Sequence, residues 1–242
     1  MTILRPDPAA LQSGDLVWPR ADDQFVYYLD GVPQEEAWRQ QRDAFVAGVA
    51  ADPVASDGDK ALAGQVRDWS YADFVSFPGP GARMQALVNR PWVGHVGIVD
   101  VRDGVPWVID ATPSRRRGGV NGPKGVAEQT YEEWLGDDSH LQSHVWQGRL
   151  RGIDEAGGSA MVAAAAAQIG KPYRFFRFDL DDASGFYCSK LVWLAAWDAL
   201  HISLDGGGAA RRFWVSPLQL MRSDRVEMLY VPPGREYGAF GH

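Results

Sequence analysis

One cysteine, Cys188, stands in the 242-residue chain, so intrachain disulfide scaffolds and four-thiolate zinc sites are excluded. Long apolar runs are missing too. The longest near-apolar stretch, Met161 to Ala167, is far short of the roughly 20 residues that a membrane span needs. Basic charge is in deficit, with 24 Lys+Arg against 31 Asp+Glu and a formal net charge of −7. Nucleic acid is therefore not an expected partner, because neutralising phosphates takes a basic surface. The run Arg115-Arg116-Arg117 is the local exception and reads as a solvated loop. The opening Met1-Thr2-Ile3-Leu4-Arg5-Pro6-Asp7-Pro8 has no apolar h-region, so the chain is expected to be cytoplasmic as synthesised. Neither a Gly-x-Ser-x-Gly elbow nor a Gly-x-Gly-x-x-Gly fingerprint is present, and no cofactor is expected. His140 and His144 have the i,i+4 spacing of a zinc helix, with Asp137 and Asp138 nearby. Leu141 stands where the metalloprotease motif requires Glu, so no metal site is expected.

What is present fits a globular domain: 45% hydrophobic and 23% charged residues, and enough length to bury a full core. The chain is read as a single domain, 1–242, of α+β class. A first strand covers Gly14 to Trp18 and ends at Pro19. Helical spacing of Trp38, Phe45, Val46 and Val49 predicts a helix over Glu35 to Ala50, stopped by Asp52-Pro53. A second helix is expected from Asp59 to Trp69, and Pro78-Gly79-Pro80-Gly81 breaks the pattern. Residues 19–90 thus read as a helical insertion or lid. Two β runs, His95 to Val101 and Val105 to Ala111, flank Asp103-Gly104, a dipeptide suited to a type I′ hairpin turn. A loop from Pro113 to Lys124 leads to a short helix, Thr130 to Leu135, and a strand, His144 to Leu150. Gly157-Gly158-Ser159 is expected to cap a helix over Ala160 to Ile169. A polar-aromatic loop, Lys171 to Gly185, then feeds an apolar helix starting at Tyr187-Cys188. Ser216-Pro217 opens a short helix, and Val226 to Val231 is a closing strand.

Two of these elements carry chemistry. At a helix start, unpaired amides and the helix dipole favour a thiolate at Cys188, and the same amides can hold the oxyanion of a tetrahedral intermediate. With Asp103-Gly104 as the turn, paired positions sum to 207, which puts Val99 opposite Val108 and Gly97 opposite Asp110. Side chains alternate, so His95 and Asp110 share a face as diagonal neighbours, and Gly97 leaves the imidazole room. A carboxylate so placed accepts the ring N–H and fixes the tautomer of a base. Pro106 within the second run signals a possible bulge that would break this parity. Cys188, His95 and Asp110 together make a set for nucleophilic acyl transfer.

The strings GDLVW (Gly14 to Trp18), GHVGIV (Gly94 to Val99), VIDATP (Val108 to Pro113), IGKPY (Ile169 to Tyr173), FYCSKLVW (Phe186 to Trp193) and VSPLQL (Val215 to Leu220) occur in order. Together they resemble the permuted branch of the NlpC-like papain-type cysteine hydrolases, the YiiX/YebB-like group, in which the His strand precedes the Cys helix. The resemblance implies Cys188 as nucleophile, His95 as base and Asp110 at the third polar position. It also implies a papain-like fold with the Cys helix packed on an antiparallel sheet. Tyr187 and Ser189 are assigned to the substrate cleft or oxyanion site on the same ground. Lys190 stands where an acidic residue often follows the Cys-Ser pair, which bears on substrate charge preference. The expected activity is cleavage of an amide, in a peptidoglycan stem peptide, by a chain delivered outside the cytoplasm as an antibacterial effector with an immunity or delivery partner. Two alternatives stand beside it: an acyltransferase or thioesterase using the same triad, and a catalytically silent binding module with Cys188 remote from His95.

Overall fold

The computed structural model describes residues 3–21, 28–29, 32–33, 35–53, 95–138, 140–174, 179–204, 215 and 217–233, with scattered positions between 57 and 70. Its strands are β1 (Leu16–Ala21), β2 (Tyr28–Leu29), β3 (Val32–Pro33), β4 (Gly97–Arg102), β5 (Val105–Thr112), β6 (Arg116–Arg117), β7 (Val120–Asn121), β8 (Gly125–Thr130), β9 (His140–Leu150) and β10 (Val226–Tyr230). The helices are α1 (Glu35–Ala51), α2 (Tyr131–Leu135), α3 (Glu155–Ala166), α4 (Cys188–Leu200) and α5 (Pro217–Met221). Six strands form one antiparallel sheet in the order β10-β9-β1-β4-β5-β8, while β2 pairs with β3 and β6 with β7 as short ribbons. This is the α+β class read from the sequence.

Alternation along the strands gives the sheet two apolar faces. Leu16, Trp18, Ile98, Ile109 and Ala111 pack with α3 and α4, whereas Val17, Val99 and Val108 pack with Tyr131, Trp134 and Leu135 of α2. Every residue of α4 from Cys188 to Ala196 is buried, which accounts for its lack of a polar face.

The hairpin forms in the expected register, with Val99 opposite Val108 and Arg102 opposite Val105. Asp103 and Gly104 take φ of +51° and +78°, the left-handed conformation of a type I′ turn. Pro106 causes no bulge, because β5 meets β8 only from Trp107 onwards and Pro106 has a neighbour strand on one side alone. The same reasoning corrects the end of β1. It runs through Pro19 to Ala21, since beyond Val17 it is paired only with β9. The first residues assigned to the insertion thus belong to the sheet.

Helix α3 is a second correction. It starts at Glu155, five residues before the expected Ala160, and its cap is Asp154, whose side chain accepts from Gly157 N–H at 2.9 Å. Gly157 and Gly158 lie inside the helix because the chain at Ser13-Gly14 crosses it: a Cβ on Gly158 would stand 2.2 Å from the Ser13 carbonyl oxygen. The helix ends at Ala166, with turns rather than helix up to Gly170. Strand β9 likewise begins at His140 instead of His144. Of the second helix expected in the insertion, the described positions Lys60, Ala63, Gly64 and Arg67 are helical, whereas the Pro78 to Gly81 breaker lies outside the described residues.

Candidate active site

Helix α4 begins at Cys188, directly after the loop that carries Phe186 and Tyr187. Tyr187 is the cap residue in extended conformation and makes no side-chain cap bond, so the first-turn amides are not closed by it. Cys188 itself is 7% exposed. His95 sits just before β4, also 9% exposed, and its ring reaches both the Cys188 sulfur and the Asp110 carboxylate by hydrogen bond. Nε2–H donates to Asp110 Oδ2 at 2.7 Å, which leaves Nδ1 as the nitrogen for sulfur. The structure therefore brings together the three residues singled out in the sequence. It removes the condition on which the silent-module alternative depended, a cysteine remote from His95.

Gly97 makes that approach possible. A Cβ there would lie 2.4 Å from Val108 Cγ1 and 3.6 Å from Asp110 Cβ. Gly97→Ala must displace the Val108 side chain on β5, two residues from the acid. The expected loss is about 1–3 kcal/mol in urea denaturation.

Asp110 is almost fully buried, at 1% exposure, and both oxygens of its carboxylate are hydrogen-bonded. Oδ2 also accepts from Trp134 Nε1–H at 3.1 Å, and Oδ1 is bonded by Arg115 Nη2. Arg115 further donates to the carbonyls of Asp110 (3.1 Å), Pro123 (2.7 Å) and Gly125 (3.0 Å). The reading of Arg115-Arg116-Arg117 as a solvated run is corrected here: Arg116 and Arg117 are exposed on β6, but Arg115 turns inward and is 4% exposed. A buried carboxylate needs a partner of opposite charge, and triplet composition carries no sign of which arginine supplies it.

Burial alone would raise the Asp110 carboxyl. The bond to His95, the His95 charge and the Arg115 guanidinium outweigh it and hold the group well below the usual carboxylate range. Burial would likewise push the His95 imidazolium down. The Cys188 thiolate charge, the bonds to Asp110 and to sulfur, and the Asp110 charge together push it up to about 10. An imidazolium at His95 with an ionised Asp110 behind it is the consistent charge state.

Two residues missed in the sequence complete the surroundings. Trp134, from α2, bonds Asp110. His140 packs its ring 5.6 Å from that of His95 and edge-on to Trp134 at 4.7 Å. Burial, and then the His95 charge, push His140 down to about 4. Unfolded, its proton binds near 6.5, so stability is complete above that value and falls by about 1.4 kcal/mol per pH unit as pH drops toward 4. Acid titration of urea midpoints checks this, and His140→Phe is expected to remove that part of the slope. His140 and His144 lie on a strand, not a zinc helix, and His144 packs edge-on to Trp146 at 4.8 Å. Among the described residues no three His, Cys, Asp or Glu side chains gather as a metal set.

The side chains of Ser189 and Tyr187 do not line an open cleft. Ser189 Oγ–H donates to the Val215 carbonyl at 2.7 Å, and Tyr187 Oη accepts from Val215 N–H at 3.3 Å, both inside the core. They tie Val215 to the start of α4. Lys190 is buried as well and points its ammonium to the Asp182 carbonyl at 2.6 Å, away from a role in substrate charge selection.

A cysteine at the head of a buried helix, facing a histidine and an acid on an antiparallel sheet, defines a papain-like cysteine hydrolase. The match to a family model places the chain more closely: residues 77–206, just over half its length, fit the permuted papain-like amidase enzymes, the YaeF/YiiX, C92 family, and the chain belongs to that family. Among solved structures, the crystal structure of metalloprotein yiiX from Escherichia coli O157:H7 (DUF1105) is similar over 90% of this chain and 96% of that one, with 15% identity and a TM-score of 0.49. No curated protein matches. Among the described residues, no helix is long and apolar enough to cross a membrane.

Proposed function

We propose that Cys188 is the nucleophile, His95 its general base and acid, and Asp110 the group that orients His95, in cleavage of amide bonds of peptidoglycan stem peptides. The observation that carries this reading is the His95 ring bonded on one nitrogen to Asp110 at 2.7 Å with Cys188 on its other side. The thiolate adds to the scissile carbonyl carbon, forming the C–S bond, and the oxyanion is met by backbone amides at the start of α4. As the C–N bond breaks, His95 gives its Nδ1 proton to the departing amine. Water then loses a proton to His95 and attacks the thioester, and the thiolate leaves. The reading keeps one domain, with the residues between the end of β1 and about residue 90 as its insertion. A wall substrate lies outside the cytoplasm, so the reading includes export or delivery of the chain as an antibacterial effector.

Digestion of purified sacculi, read by mass spectrometry of released muropeptides, tests the substrate. Wild type is expected to release fragments with a new stem-peptide terminus, and Cys188→Ala none. Intact sacculi alongside rapid turnover of long-chain acyl esters would replace the amidase reading with the acyltransferase or thioesterase one.

A further inference from the structure

The base in such a site must hold its ring plane to within about 0.5 Å and 10–20° of the productive geometry. Two features of His95 leave that plane underdetermined by the triad alone. His95 precedes the first laddered residue of β4, so no strand pairing fixes its backbone, and Nε2 has a single acceptor about which the ring can pivot. The third contact is His140, at 6% exposure, with ring centroids 5.6 Å apart and planes at 35°. Behind it the Trp134 indole meets His140 edge-on at 4.7 Å and 65°, while its own N–H holds Asp110 Oδ2. The backbone of His140 is pinned in turn, its N–H donating to the Asp137 carbonyl at 3.0 Å. These contacts close a circuit: His95 to Asp110, Asp110 to Trp134, Trp134 to His140, and His140 back to His95.

We propose that His140 is a positioning residue for the reaction: its buried ring, wedged between the Trp134 indole and the His95 imidazole, fixes the plane in which His95 meets Cys188. This rests on His95 serving as the base. The charged and titratable groups facing His140 are His95 from the β4 edge, Asp110 from β5 with Arg115 behind it, and Asp137 from the turn after α2. The imidazolium at His95 opposes a second proton at His140, so His140 acts as a neutral flat wall. His140 Nδ1 has no hydrogen-bond partner. Shape, rather than a bond from that nitrogen, is what the ring supplies.

Because Cys188 is the one thiol in the chain, the rate of iodoacetamide addition read by intact mass reports this site alone. At about pH 7, His140→Phe, which keeps a flat ring, is expected to react within about threefold of wild type. His140→Leu, which fills the volume without a flat ring, is expected to react about tenfold more slowly, approaching His95→Ala, with little change in its melting temperature. If His140→Leu reacts at the wild-type rate while His95→Ala is slow, His140 is not a positioning residue and the base assignment stands. If His140→Phe is as slow as His140→Leu, ring shape is not the property that matters and the proposal fails. If His95→Ala itself reacts like wild type, the base assignment falls and His140 with it.

Discussion

Arg115→Ala is expected to cost about 3–5 kcal/mol of stability, a large fraction of what a domain of this size possesses. The substitution strands the Asp110 carboxylate in the core with one oxygen unpaired, and it also strips donors from the Pro123 and Gly125 carbonyls. Urea denaturation near neutral pH checks the magnitude. The pH dependence separates the charge effect from simple loss of packing. His95 and then Arg115 hold the Asp110 carboxyl below its ordinary 3.8, so the stabilisation they give is complete above that value and is lost as pH falls through the depressed one. The gap between wild type and Arg115→Ala should therefore narrow on acidification below about 3.8. A gap that stays constant would mean that Arg115 contributes chiefly through its alkyl stem.

The other large effect falls on the reaction. Cys188→Ala is expected to abolish hydrolysis, and His95→Ala to lower kcat by about 10³–10⁴-fold while leaving KM within a small factor. The two residues act as one unit, so the double variant should be no slower than Cys188→Ala alone. Additive losses would indicate that the two groups serve different steps. Asp110→Asn removes the charge that orients His95 but also leaves Arg115 buried without its counter-ion. Its kinetic loss should therefore come with a drop in stability, whereas His95→Ala should show the kinetic loss mainly.

Much of this site was legible because its geometry is local. The Asp103-Gly104 turn fixes the parity of one hairpin, and parity alone places Asp110 beside His95 with Gly97 clearing the way. The start of α4 is equally local, an apolar helix that follows a loop. What the sequence withheld depends on contacts across long separations. Trp134 and His140 approach the triad only because α2 covers one face of the sheet and β9 runs two strands away from β4. His140 even carried a misleading signal, since its spacing to His144 suits a helix and the segment is a strand. Arg115 was hidden in a triplet whose other two members are solvated. The early start of α3 had a similar origin: paired glycines usually end or cap helices, and here they accommodate a crossing backbone that sequence cannot display. Ser189 and Tyr187 flank the nucleophile in the chain, but helix geometry turns their hydroxyls toward Val215.

The central claim is that the Cys188 sulfur and the His95 ring are bonded neighbours sharing charge. Imidazole ¹⁵N spectroscopy across pH measures it directly, and only five histidines need assignment. In wild type, His95 is expected to remain doubly protonated to about 10, and in Cys188→Ala, where the thiolate charge and its hydrogen bond are gone, to lose its proton at least about one pH unit lower. A His95 that titrates near 6.5 in both proteins would contradict the account.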